Sequence, residues 1–140
     1  MNNFKNKIAI GTAQSDKSYG VFRKNRNLNG IFTNKCLKNF NLVDTAISYQ
    51  NVEKRLIKLD KKIKIVTKIS FKNINYKKSL SDLEILERLK IFFFYHLKKM
   101  KKKSIYGLLL HDFKDLKIKN KIILKFLKLL KKDKIIKKIG

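Results

Sequence analysis

Proline and tryptophan are absent from this 140-residue chain, and cysteine occurs once, as Cys36. A lone cysteine excludes an intrachain disulfide framework. Its place in a helical-looking stretch marks it as a small apolar filler rather than a nucleophile. Acidic residues are scarce, 10 Asp+Glu against 36 Lys+Arg, which leaves a formal charge of +26. Arginine is scarce too, present only as Arg23, Arg26, Arg55 and Arg88. That weakens the usual reading of such a charge as a nucleic-acid or anionic-membrane partner, because specific phosphate and base contacts favour the arginine fork. Lys, Asn, Ile and Phe crowd the chain, and all four have A/T-rich codons, so compositional bias is a sufficient cause. The runs KKMKKK (98–103) and KLLKKDKIIKK (128–138) read as solvated helix surfaces and turns. No apolar run approaches the roughly 18 residues of a spanning helix; the longest aromatic run is IFFFY at 91–95. The N-terminus, MNNFKNK, has no apolar core of a signal peptide. The default expectation is a cytoplasmic protein with no membrane partner, no metal and no specific nucleic-acid partner.

What is present is an alternation of strand-like and helix-like stretches. Strands are expected at Ile8 to Ala13, Leu42 to Ala46, Ile63 to Ile69, Ile105 to Leu110 and Lys134 to Ile139. Between them, Gly20 to Gly30 reads as a loop and Asn29 to Phe40 as a weak helix. Asn51 can cap a helix from Val52 to Leu59, with Glu53 where the helix dipole favours an acid. Ser79 or Ser81 opens the longest helix, and Ser81-Asp-Leu-Glu84 fits a capping box. In it Ile85, Leu89, Phe92, Phe93, His96, Leu97 and Met100 form a stripe at helical spacing. Lys119 to Lys132 is amphipathic, with Ile122, Ile123, Phe126, Leu127 and Leu130 on one face. Such alternation predicts right-handed βαβ units and a parallel sheet. No linker divides the chain, so 1–140 reads as one domain.

Four polar residues follow the apolar runs: Thr12 after Gly11, Asp44, Lys68 and His111, with Tyr49 five residues past Asp44. In barrels and open sheets of parallel strands, chemistry gathers at the C-terminal strand ends. A phenol has a pKa near 10 and is a weak acid at neutral pH. A neighbouring Lys⁺ favours the phenolate and lowers that value. An Asp beside the Lys fixes it and keeps it charged, and a His can orient a carbonyl oxygen. Together these groups make a proton donor for a carbonyl that receives a hydride, and the hydride must come from a cofactor. Singly, each residue has a plainer reading: a structural Asp44–Lys68 ion pair, a surface Tyr49, a satisfied core His111. Placement on successive strand ends is what makes the set a candidate site.

The segments IGTAQ…YG (10–20), VDTAISYQNVE (43–53), VTK (66–68), LLLHD (108–112) and KIIKKIG (134–140) resemble, in order, the N-terminal half of the aldo/keto reductase family. The resemblance implies a (β/α)8 TIM barrel that reduces aldehydes and ketones with NADPH or NADH. It implies a catalytic tetrad of Asp44, Tyr49, Lys68 and His111, with Tyr49 as general acid. Gly11, Thr12 and Asp44 would border the cofactor. Gln50 departs from the Gly that commonly follows the tyrosine, and the stretch from Lys68 to His111 is long for the family. The family's Ser-Asn pair for the nicotinamide amide and its groups for the pyrophosphate fall beyond Gly140.

A complete barrel needs roughly 250 residues. The expected fold is therefore α/β, a partial barrel of about four βα units plus the start of strand five. Open edges of such a piece favour self-association or pairing with a C-terminal half. A truncated product, a degenerate remnant and a genuine half barrel all fit, and a stop inside a strand favours the first. Negligible reductase activity is expected of the 140 residues alone. A basic nucleic-acid-binding protein is the alternative from a different class, and a half-barrel subunit is a third.

Overall fold

The computed structural model describes residues 8–13, 40–49 and 52–140. Among the described residues, five strands and three helices follow in the order β1 Ala9–Gly11, β2 Leu42–Asp44, α1 Val52–Leu56, β3 Lys64–Ile69, α2 Asp82–Lys99, β4 Ile105–Leu110, α3 Lys114–Lys132 and β5 Ile136–Ile139. A short 3-10 turn, Phe71–Ile74, follows β3. All neighbouring pairs are parallel, and the order across the sheet is β1-β2-β3-β4-β5. Doubly wound sheets reverse their strand order at a switch point. A sequential order with no reversal is the progression of a barrel.

The register assigns the faces. Val43 lies beside Ile65, and Thr67 beside Leu108. Those positions and Ile69 are buried and, Thr67 apart, form one core with the helices. From α2 the core takes Ile85, Leu89, Phe93 and Leu97; from α3 it takes Ile123, Phe126, Leu127 and Leu130. Phe93 and Phe126 meet edge to face at 6.1 Å between centroids. Each such side chain contributes about 1.5–3 kcal/mol by leaving water. The other face carries Gly11, Asp44, Val66, Lys68, Leu109 and Lys138 by the same register. Most of these are half-buried or exposed. Among the described residues the helices cover the strands on one side, and β3 accordingly alternates buried and less buried residues.

The helix starts follow local chemistry. Ser81 caps α2: its hydroxyl accepts the Glu84 N–H, and Glu84 accepts the Ser81 N–H at 2.8 Å. The Ser81 hydroxyl, and next its N–H, hold the Glu84 carboxyl below its ordinary range. At α3, Asp112 accepts the Lys114 N–H at 2.9 Å. That bond, followed by the Lys72 ammonium, lowers the Asp112 pKa.

Several boundaries differ from expectation. The loop at 20–30, the helix before β2 and the Asn51 cap lie outside the described residues, apart from Phe40. α1 stops at Leu56 rather than Leu59, and β5 starts at Ile136 rather than Lys134. Lys134 has φ 57°, so it turns the chain before pairing begins. The last helix begins at Lys114, not Lys119, because Asp112 starts a turn ahead of the apolar stripe. Lys119 is a break within it, at φ −149° and ψ 58°. Its ammonium donates to Asp82 at 2.7 Å, tying the break to the start of α2. α2 is thus the longest unbroken helix among the described residues.

Candidate active site at the strand ends

Backbone bonds carry the ladder past the strand ends and so fix the groups that follow. The Thr12 N–H donates to Asp44 O at 3.0 Å and the Thr45 N–H to Val66 O at 2.9 Å. The Ile47 N–H donates to Lys68 O at 3.3 Å, and the His111 N–H to Ile69 O at 2.9 Å. A turn closed by the Tyr49 N–H on Ala46 O at 3.0 Å sets the tyrosine.

Asp44 and Lys68 form one pair. The Lys68 ammonium donates to both Asp44 carboxylate oxygens, at 2.6 and 2.7 Å, and to the Thr45 carbonyl at 3.0 Å. An ammonium has three protons, so three acceptors fix its position. Lys68 is 20% exposed and Asp44 41%, so solvent screens the pair from one side. Tyr49 and His111 form a second pair. Their rings stand edge to face at 6.3 Å. Tyr49 is half-buried against the core, while His111 is exposed. Ser48 Oγ lies 3.5 Å from His111 Nδ1. The two pairs share one corner of the sheet, joined through the Ile47–Lys68 backbone bond.

Gly11 lies beside Asp44 in register, with open space where a side chain would be. Thr12 points the other way. It is 1% exposed, and its hydroxyl donates to the Thr45 hydroxyl at 2.7 Å behind the strand ends. Toward the open face it presents backbone. Among the described residues, no three His, Cys, Asp or Glu side chains converge as a metal site.

No protein-family profile matches the chain, and no curated protein matches it. Solved structures do. A Pseudomonas aeruginosa protein assigned to the aldo-keto reductases matches with a TM-score of 0.68 at 22% identity, over 94% of this chain and 53% of its own. The chain folds as the first part of an aldo-keto reductase barrel. The aldo-keto reductase MGS-M4 from a deep-sea metagenome gives 0.63 at 19% identity, over 94% and 44%. The aldose reductase of Schistosoma japonicum gives 0.61 at 15%, over 94% and 47%. The shared property at these identities is the fold, and the chain spans about half the length of the structures it matches.

Two neighbours of this corner carry no role in the sequence reading: Thr45 supplies a carbonyl to Lys68, and Ser48 sits beside His111. Glu53, expected as an acid in the first helical turn, takes a tertiary partner as well. The His96 ring Nδ1–H donates to its carboxylate, which ties α1 to α2. His96 belongs to the apolar stripe of α2 by spacing, and only the tertiary fold brings Glu53 to it.

Proposed function

We propose that this chain carries the proton-transfer half of an NAD(P)H-dependent carbonyl reductase. The supporting observation is the Lys68 ammonium held by both Asp44 oxygens at the corner where Tyr49 and His111 meet. In this reading the Tyr49 hydroxyl gives its proton to the carbonyl oxygen of an aldehyde or ketone. Lys68, positioned by Asp44, favours the negative charge left on the phenol oxygen. His111 orients the carbonyl oxygen. A phenol, an ammonium and an imidazole are the donor types that this chemistry uses. A nicotinamide cofactor would supply the hydride, bordered by Gly11, Asp44 and the Thr12 backbone. One matching structure, the aldo-keto reductase of Klebsiella pneumoniae, is in complex with NADPH, which supports that class.

The remaining cofactor contacts are assigned in this proposal to a C-terminal half that pairs through β1 and β5, the two sheet edges. Residues 1–140 act as one incomplete barrel domain. No helix of the described residues is long and apolar enough to cross a membrane, and we place the activity in the cytoplasm. The test is NADPH oxidation with a panel of aldehydes and ketones. The chain is assayed alone and mixed with the C-terminal half of an aldo-keto reductase. Turnover is expected in the mixture and negligible for the chain alone. Turnover that survives Tyr49→Phe in the mixture contradicts the assignment.

A further inference from the structure

The opposite end of the sheet holds a cavity of about 560 Å³. Its walls come from the starts of β3, β4 and β5 and from the end of α3. Seven of its lining residues are lysines: Lys61, Lys62 and Lys64 at β3, Lys102 before β4, and three more between Lys131 and Lys137. Among the described residues no carboxylate lines it. Among the described residues none of the seven is ion-paired. Asp60 and Asp133 flank the lysine runs without lining the cavity. The Asp60 carboxylate is engaged by the Lys62 backbone N–H at 2.9 Å.

These lysines are far apart in sequence and come together only because parallel strands start at one end. A space of about 560 Å³ is roughly 10 Å across. Charges on its wall therefore lie within about one Debye length of their neighbours, roughly 8 Å at physiological ionic strength. Like charges at that range repel, and a concave wall focuses their field on the space between them. A multivalent anion placed there relieves the repulsion of several lysines at once. Apolar side chains, Ile63, Ile65, Ile105 and Ile136, make the rest of the lining together with Ser104 and Tyr106. The Lys64 ammonium sits over the Tyr106 ring, 5.2 Å from its centroid.

We propose that this cavity is a binding site for a compact polyanion, a small molecule carrying several phosphate groups. The volume lies in the range of small-molecule sites, about 300–1,000 Å³. Lysine binds phosphate as a point charge, whereas base readout uses the arginine fork. Among the described residues the lining has no arginine, and the Tyr106 ring is half-buried under Lys64 rather than offered for base stacking. A nucleic acid is therefore the disfavoured occupant.

The test measures inorganic triphosphate binding to the 140-residue chain by calorimetry. It compares the triple variant Lys61→Gln, Lys62→Gln, Lys137→Gln with a control triple, Lys90→Gln, Lys98→Gln, Lys125→Gln. All six lysines are exposed, and both triples remove the same charge. The cavity triple should weaken binding at least about tenfold and the control less than about twofold. Equal weakening in the two triples would mean diffuse attraction to the net charge and would overturn the site. So would a single-stranded oligonucleotide that binds more tightly than triphosphate and is unaffected by the cavity triple. A second measurement uses the unaltered chain and so does not depend on variant folding. Triphosphate should protect Lys61, Lys62 and Lys137 from acetylation more than Lys90, Lys98 and Lys125, and uniform protection overturns the proposal.

Discussion

The two ends of the sheet use lysine in opposite ways. At the C-terminal strand ends Lys68 is held by three oxygens, two of them from Asp44. At the N-terminal ends seven lysines face a common space with no carboxylate in its lining among the described residues. Lys64 and Lys68 stand on the same strand and, by alternation, on the same face. One residue type thus takes two roles, set by what the neighbouring strand places beside it. Asp44 on β2 lies next to Val66 in register, within reach of Lys68, while Lys64 has Leu42 there. A fixed ammonium can tune one neighbouring group. A crowd of unpaired ammoniums can only attract anions.

The largest expected contrast is between tyrosines. In the reconstituted barrel, Tyr49→Phe should lower turnover by about 10²–10⁴-fold, the usual share of general acid catalysis. Tyr106→Phe, at the other end, should leave it within about twofold, and comparable losses would erase the distinction. Next comes the carboxylate. Asp44→Asn should destabilise the chain by about 1–2 kcal/mol in urea titrations. That is the value of a charged hydrogen bond, discounted because Asp44 is 41% exposed. Asp60→Asn, exposed beside the lysine cavity, should stay within about 0.5 kcal/mol.

Smaller still is the loss of the α2 cap, which lies at neither end's lysine cluster and so serves as a baseline. Ser81→Ala should cost about 1 kcal/mol with turnover unaffected. The smallest effect is a pH dependence at the same cap. Because Ser81 holds the Glu84 pKa below its ordinary 4.5, the unfolded chain binds a proton more readily than the folded one. The contribution is therefore present above about pH 4.5 and is lost as the pH falls through the depressed value. Melting temperatures across that range should show an acid slope that Ser81→Ala makes shallower, with the share from Asp112 left in place.

Much of this architecture was legible because it depends on short-range patterns. β4 runs over Ile105–Leu110 as its apolar run indicates, and Ser81 caps α2 through the box that its spacing with Glu84 spells out. The Asp44–Lys68 pair was legible because both residues end apolar runs in strands that become neighbours. Features that arise only in three dimensions were not legible. Thr12 reads as a strand-end group, yet alternation turns its hydroxyl into a buried bond with Thr45. Asp115 lies ahead of the helix expected at Lys119 to Lys132 and carries no signal in the sequence. It is 3% exposed, and it accepts the Phe71 N–H at 3.1 Å, closing the turn after β3. The amphipathic pattern begins at Lys119, where the break falls, but the helical turn ahead of it at Lys114 and the tie from Lys119 to Asp82 appear only in the fold. The lysines of 128–138 read as solvated surface, and the cavity appears only when β3 and β4 bring others beside them.

The most direct test exchanges the same residue at the two ends of one strand. Lys68→Met and Lys64→Met each remove one positive charge from β3 and leave a stem of similar length. Carbonyl turnover is then measured in the reconstituted barrel. The account predicts that Lys68→Met lowers turnover by about 10²-fold or more, through loss of the charge that favours a Tyr49 phenolate, while Lys64→Met stays within about twofold. Equal effects of the two substitutions, or full activity in Lys68→Met, would contradict it.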